Sequence, residues 1–423
     1  MGFAENYFFR HTFLLPRIIE PLPKAGLLRY IVVIPAYLEE NLILTLNSAI
    51  QAVKPDGVVL VLIIINFSES DTFENKQFNL EQFNYLTEWC NMHSGRDILF
   101  RTILADDLPG KHAGAGLARK IGMDLALYHF NEADNPDGMI LSLDADALIE
   151  KNYFTAIGES MFSAGKRAGG CIMRFAHTIE GDAFSGEIYD AIVSYELHLR
   201  YYKNIMKHIG FPFARYTIGS CFGVRANAYH RYGGMNRKKG GEDFYFLNKL
   251  FPHERFVEIN ETCINLSPRP SLRVPFGTGP VVHQLIHSVS KEMPTYNPQA
   301  FYDLEKLFVS VDDLFTVNRR RVDSLFSEFS IILKDFLIEN SFSAKIREIR
   351  RNTAAIESFR KRFYLWFDGF RVVKYLNFAH KEKYQKVPVQ QAVLNLLEKI
   401  KRKFSKGNER YLLDYLRRLD MKG

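Results

Sequence analysis

The chain has 423 residues, 47% hydrophobic and 14% aromatic, enough apolar material for a catalytic domain plus an appended region, which excludes a disordered, collagen-like or low-complexity class. No run approaches the roughly 18 uninterrupted apolar residues of a membrane span, and the longest, Val58 to Ile65, has the length of a buried strand. The net charge of +7 is uneven: residues 1–290 carry 28 Lys+Arg against 31 Asp+Glu (−3), and residues 291–423 carry 27 against 17 (+10).

Met1 to Pro16 mixes aromatics with Glu5, Arg10 and His11 and lacks the continuous apolar stretch of a secretory signal, so a cytoplasmic setting is expected. From Ile31 the pattern alternates. Ile31–Ile34 and Val58–Ile65 read as buried strands with a helix over Asn41–Ala52 between them. Ile98–Leu104 and Met139–Leu143 read as further strands, separated by a helix over Ala113–Phe130. A βαβα series calls for a parallel sheet with right-handed crossovers, and ligands of such sheets lie beyond the carboxyl ends of the strands. Downstream, Phe184–Ile209 reads as a long helix, Tyr216–Val224 as a strand and Glu242–Leu250 as a helix, and beyond Pro298 the pattern is helical with interruptions at Pro388 and Gly407. The expected division is an N-terminal extension (1–27), an α/β catalytic domain (28–290) and a helical C-terminal region (291–423). The scattered Cys90, Cys171, Cys221 and Cys263 lack C-x-x-C spacing and read as core thiols.

Two acidic motifs carry chemistry. Asp144-Ala145-Asp146 follows the apolar run ending at Leu143, so both carboxylates can face one hard cation, Mg²⁺ or Mn²⁺, with phosphate oxygens filling its other positions. Alone the triplet is also a solvated turn; its place after a strand favours the metal. A haloacid-dehalogenase phosphatase also carries D-x-D after a strand, but wants Thr or Val where Leu148 stands and uses its first strand, not its fourth. Further on, Gly240-Gly241-Glu242-Asp243 opens a helix. An acidic pair there caps the exposed amides, while the preceding glycine pairs let backbone approach a ligand and leave Asp243 as a candidate general base.

Together these motifs make the chain resemble glycosyltransferase family 2, whose fold is GT-A. The matching residues are Val32-Val33-Ile34-Pro35-Ala36-Tyr37-Leu38-Glu39-Glu40-Asn41, Asp144-Ala145-Asp146 and Gly241-Glu242-Asp243, and the similarity runs from Ile31 to Val282, about 60% of the chain. The resemblance implies a metal-dependent inverting transfer of a sugar from a nucleoside-diphosphate donor to a glycan or lipid-linked acceptor, as in cell-envelope polysaccharide synthesis. In its terms Pro35, Tyr37, Glu39 and Ala145 lie at the donor, Asp144 and Asp146 hold the metal, and Asp243 deprotonates the acceptor. Gly219, Ser220 and Glu242 stand on the acceptor side, and His283 is a further candidate metal ligand, as some GT-A enzymes use a downstream His. Leu38 departs from the usual Asn, and Asn66 takes the place of the Asp that holds a uracil ring, offering both donor and acceptor to a base edge.

Lys111 and Arg119 lie in a glycine-rich helix start where related enzymes approach the donor, and suit its phosphates as well as they suit a solvated helix start. Arg269 and Arg273 lie within the loop Ser267–Gly279, which ends in a Gly-Thr-Gly turn, and their geometry suits diphosphate as well as the stretch suits a structural turn. A rival of another class is a non-catalytic sugar-nucleotide sensor or scaffold; a nucleotidyltransferase would want a Gly-rich basic loop after the first strand, which Pro35–Asn41 lacks. The basic stretches Arg347–Arg362 and Lys399–Arg410 suit peripheral attachment to the inner face of a membrane, and no nucleic-acid motif accompanies them.

Overall fold

The computed structural model describes residues 2–11, 28–163, 168–275, 277–316, 326–402 and 407–421. Residues 12–27 of the expected extension, Phe276 of the arginine loop and residues 403–406 of the basic stretch Lys399–Arg410 lie outside the described residues.

In chain order the first part runs α1 (Glu5–His11), β1 (Leu28–Ala36), α2 (Leu42–Gln51), β2 (Val58–Ser68), α3 (Phe73–His93), β3 (Ile98–Leu108), α4 (Ala115–Glu132), β4 (Met139–Ser142) and β5 (Leu148–Ile149). It continues with α5 (Tyr153–Phe162), β6 (Gly170–His177), α6 (Gly186–His208), β7 (Phe222–Arg225), α7 (Ala226–Arg231), α8 (Glu242–Leu250), β8 (Phe256–Leu266) and α9 (Thr278–His287). The eight strands form one sheet in the order β3-β2-β1-β4-β7-β6-β8-β5. β3, β2, β1 and β4 run parallel. Beyond β4 the sheet is mixed: β7 is antiparallel to β4 and to β6, β8 is parallel to β6, and β5 closes the edge antiparallel to β8. This α/β architecture, a mixed sheet flanked by helices with a helical C-terminal region, is GT-A-like, and less parallel than its first four strands suggest.

Local chemistry accounts for the elements. All of β2 is buried, and its run Val58–Ile65 is the continuous apolar composition of a strand covered on both faces. α4 is buried over most of its circumference, charged Arg119, Lys120 and Asp124 included, so these groups need partners inside the protein. Asp124 accepts from Tyr7 Oη (2.6 Å), Tyr229 Oη (2.7 Å) and Lys120 Nζ (2.9 Å), which fastens α1 to α4. The expected strand Tyr216–Val224 is reduced to Phe222–Arg225, and residues up to Cys221 form a non-strand approach to it. All four cysteines are buried thiols outside any disulfide, and burial pushes the Cys90 and Cys171 thiols up to about 12, as suits core packing.

The chain divides into two compact units. One comprises Met1–Phe184 with Thr217–His283, the other Ser185–Tyr216 with Gln284–Gly423. Helix α6, expected within residues 28–290, thus belongs with the C-terminal helices, and the division falls at 283 rather than 290. Its Glu196 and Arg200 are buried: Arg200 pairs with Glu196 and with Asp420 (2.5 Å) on the last helix, Glu409–Met421, and Arg417 also reaches Glu196 (2.6 Å). Among the described residues no helix is long and apolar enough to cross a membrane.

Candidate active site

Topology selects the location. From β1 the chain steps outward through β2 to β3 and then returns to lay β4 on the opposite side of β1. Neighbouring parallel strands whose connections leave in opposite directions open a crevice at their carboxyl ends, where α/β proteins bind ligands. The turn Tyr37–Glu39 follows β1 and Asp144-Ala145-Asp146 follows β4, so both motifs occupy that edge.

One cluster centres on Arg119, which is only 3% exposed. Its Nε donates to Ser142 Oγ (2.9 Å), its Nη2 meets Asp144 Oδ1 (2.5 Å) and its Nη1 pairs with Glu242 Oε1. Ser220 Oγ donates to the other Asp144 oxygen. Two glycines make room: a Cβ on Gly219 would stand 2.9 Å from Arg119 Nη2, and one on Gly116 would stand 2.1 Å from the Lys238 carbonyl and 3.0 Å from Glu242 Cγ. α8 starts on Gly241 at φ 65°, a left-handed cap that glycine adopts without strain, and the acidic pair then fills the first turn against the helix dipole.

The second cluster centres on Glu39, which is 4% exposed. Arg269 grips it in a bidentate pair (2.7 Å on each arm) and reaches Asp146 (3.1 Å). Arg273 adds two contacts to Glu39 (3.2 Å each) and donates to the carbonyls of Tyr37 (2.6 Å) and Leu38 (2.9 Å). α3 steadies the turn from behind, with the Leu38 amide donating to Asn79 Oδ1 (3.1 Å) and Gln82 donating to the Glu39 carbonyl. Leu38 has φ 50°, the left-handed region, which Asn enters more readily than Leu.

These groups share one electrostatic field. Burial pushes the Asp146 carboxyl up to about 6, Glu39 and Asp144 push the same way, and Arg269 and Arg273 pull it back. Asp243 keeps part of its surface open, yet the protein packed around its carboxyl raises its pKa; Arg119 and the Phe244 amide, which donates to Asp243 Oδ1 (2.7 Å), oppose the rise, and Asp144 adds to it. Residue 243 therefore stands within the field of residue 144. Glu39, Asp144, Asp146, Glu242 and Asp243 make five carboxylates against three guanidinium groups, and Glu40 adds to the field at Arg269, so the cluster carries a negative surplus when all are ionised. A divalent cation suits that surplus, and Asp146 is the D-x-D carboxylate whose protonation the surplus favours. Among the described residues no three His, Cys, Asp or Glu side chains form a ready cage, and His283 is half-buried on α9.

The remaining expected site residues have the following surroundings. Arg119, expected at donor phosphates, has its guanidinium committed to Ser142, Asp144 and Glu242 inside the protein. Gly219, Ser220 and Glu242, expected on the acceptor side, line that same cluster. Asn66 is buried and donates to the Ala36 carbonyl (2.8 Å), tying the ends of β1 and β2. The Ala145 carbonyl accepts from Thr45 Oγ1 (2.8 Å), which holds the D-x-D turn. Pro35 is buried within β1, Tyr37 is half-buried beside Asn75, and Lys111 is exposed in the turn before α4. Ser142, Thr45, Asn79 and Gln82 carried no sequence signal, since polar residues on buried strand ends and helices read as ordinary packing.

No protein-family model matches this chain, and no curated protein matches it. Among solved structures, S. aureus TarS 1–349 in complex with UDP-GlcNAc is similar at 14% identity, covering 93% of this chain and 88% of that one with a TM-score of 0.35. The same fragment with UDP gives 13% identity, the same two coverages and a TM-score of 0.34. A longer S. aureus TarS gives 12% identity over 84% of this chain and 55% of that one, with a TM-score of 0.36. At these values the functional reading rests on this chain's own geometry.

Proposed function

We propose that this chain is a glycosyltransferase that moves a sugar from a nucleoside-diphosphate donor to a hydroxyl acceptor, a glycan or a lipid-linked saccharide, with inversion at the anomeric carbon. The observation that carries the reading is the meeting of five carboxylates and three guanidinium groups, drawn from five separate stretches of sequence, at the switch point of the sheet. Their negative surplus suits a cation and, through it, a diphosphate. Asp146, with Asp144 beside it, would hold Mn²⁺ or Mg²⁺, which supplies charge compensation to the departing diphosphate.

The chain's own residues do the rest. Asp243 takes the proton of the acceptor hydroxyl as its oxygen bonds to the anomeric carbon and the bond from that carbon to the diphosphate oxygen breaks. A carboxylate with a raised pKa is a stronger base than an ordinary one. Arg269 and Arg273, now gripping Glu39, present the planar forks that suit phosphate oxygens and stand beside Asp146 to meet them.

A thermal-shift panel of nucleoside-diphosphate sugars with and without Mn²⁺ identifies the donor. Asp243→Asn should then bind that donor as wild type does and lose transfer by at least about 100-fold. Full turnover by Asp243→Asn overturns the base assignment, and donor binding without any turnover by the wild type favours a sensor.

A further inference from the structure

We propose that Arg119 is a positioning residue: it locks the helix that carries Asp243 to the strand end that carries Asp144, and it does not touch the donor. The inference deepens the transferase reading and rests on it for its kinetic consequence, while the tie itself stands on geometry alone.

A planar guanidinium offers donors in fixed directions, and here each arm has a different target on a different element. Nε fixes the end of β4 through Ser142, Nη2 fixes one oxygen of Asp144, and Nη1 fixes Glu242, the residue next to Asp243. Ser220 closes the second oxygen of Asp144, so that carboxylate is held from both sides. Glu242 is 5% exposed, and a buried carboxylate without its cation is costly, so α8 is anchored where Arg119 reaches it. The surroundings are shaped for the arm: Gly219 clears space for Nη2, and Gly116 lets the first turn of α4 press against Lys238 and Glu242. A lysine, with one charged point, meets one of these targets at a time.

The consequence is a kinetic signature. Displacing a catalytic group by about 1 Å can cost about 100-fold in rate without removing a substrate contact. Arg119→Met and Glu242→Gln should each lower kcat about 100-fold with the donor Kd within about threefold of wild type. The double variant should lose less than the product of the two single losses, because both weaken the same Arg119–Glu242 arm. Arg119→Lys should recover part of the loss, and Gly219→Ala, which crowds the arm without altering charge, should reproduce a smaller kcat loss in a protein whose circular dichroism is unchanged.

The measurement is donor binding by calorimetry and turnover on the same preparations of all five variants. A donor Kd weakened more than tenfold in Arg119→Met, or losses that multiply in the double variant, overturns the proposal and returns Arg119 to the donor. If the wild type neither binds nor turns over any sugar nucleotide, the transferase reading fails on its own, and the tie is then read from thermal melting. A Tm loss in the double variant smaller than the sum of the losses in Arg119→Met and Glu242→Gln upholds it, and additive losses refute it.

Discussion

On the proposed reading, in which Asp146 holds a divalent cation, its shifted carboxyl makes binding titrate in an unusual window. An ordinary aspartate near 3.9 stays over about 90% ionised at pH 5, so a site built on it holds its metal down to that pH. Asp146 is pushed up to about 6 by burial and by Glu39 and Asp144. A proton and a cation compete for the same oxygens, so apparent affinity follows the ionised fraction. That fraction is roughly 0.9 at pH 7 and roughly 0.1 at pH 5, so Mn²⁺ affinity should fall about tenfold between them. The sign follows from the direction of the shift: a raised carboxyl pKa moves the loss of binding to higher pH. Arg269 pulls the value down, so Arg269→Ala should move the window upward. At a pH high enough to ionise Asp146 in both proteins, that variant should bind Mn²⁺ more tightly, because the competing guanidinium 3.1 Å away is gone. Titration of Mn²⁺ by electron paramagnetic resonance from pH 5 to 8 reads all three effects, with Asp146→Asn as the control that loses binding. Affinity that stays flat from pH 7 to 5 would show that Asp146 is not the titrating ligand.

Leu38 holds a left-handed backbone that costs a leucine about 1 kcal/mol, so Leu38→Asn should raise Tm by a degree or two after the lost apolar contact is deducted; a lower Tm refutes the strain. Asp420→Ala strips Arg200 and Lys203 of a buried partner, which should cost about 3 kcal/mol and speed proteolysis within Glu409–Met421; an unchanged cleavage pattern counts against it. The exposed Arg347, Arg351, Lys361 and Arg362 lie on the helices Phe342–Arg351 and Ile356–Trp366. At about 1 kcal/mol per cation near an anionic bilayer, the protein should co-sediment with acidic vesicles at low salt and not with neutral ones, and Arg347→Glu with Arg351→Glu should weaken it. Absence of co-sedimentation at any salt removes that idea.

What the sequence discloses and what it withholds have the same cause. The run Val58–Ile65 announces a strand because burial on both faces leaves no polar position, and Asp144-Ala145-Asp146 announces a strand end because charge follows the apolar run at once. Both signals are local. Arg119 gave the opposite lesson: an arginine in a glycine-eased helix start reads the same whether it faces a phosphate or a buried carboxylate, and its buried carboxylate partner, Glu242, is 123 residues away. The same distance effect moved α6, whose Arg200 is answered by Asp420, 220 residues on. Tyr216–Cys221 misled for a different reason. Its composition suits a strand, but a regular strand there would alternate its side chains between two faces, whereas Ser220 must reach Asp144 while Gly219 leaves room for Arg119. A segment that serves side-chain geometry at consecutive positions abandons the pleat, so the departure from regular structure falls where the candidate chemistry is.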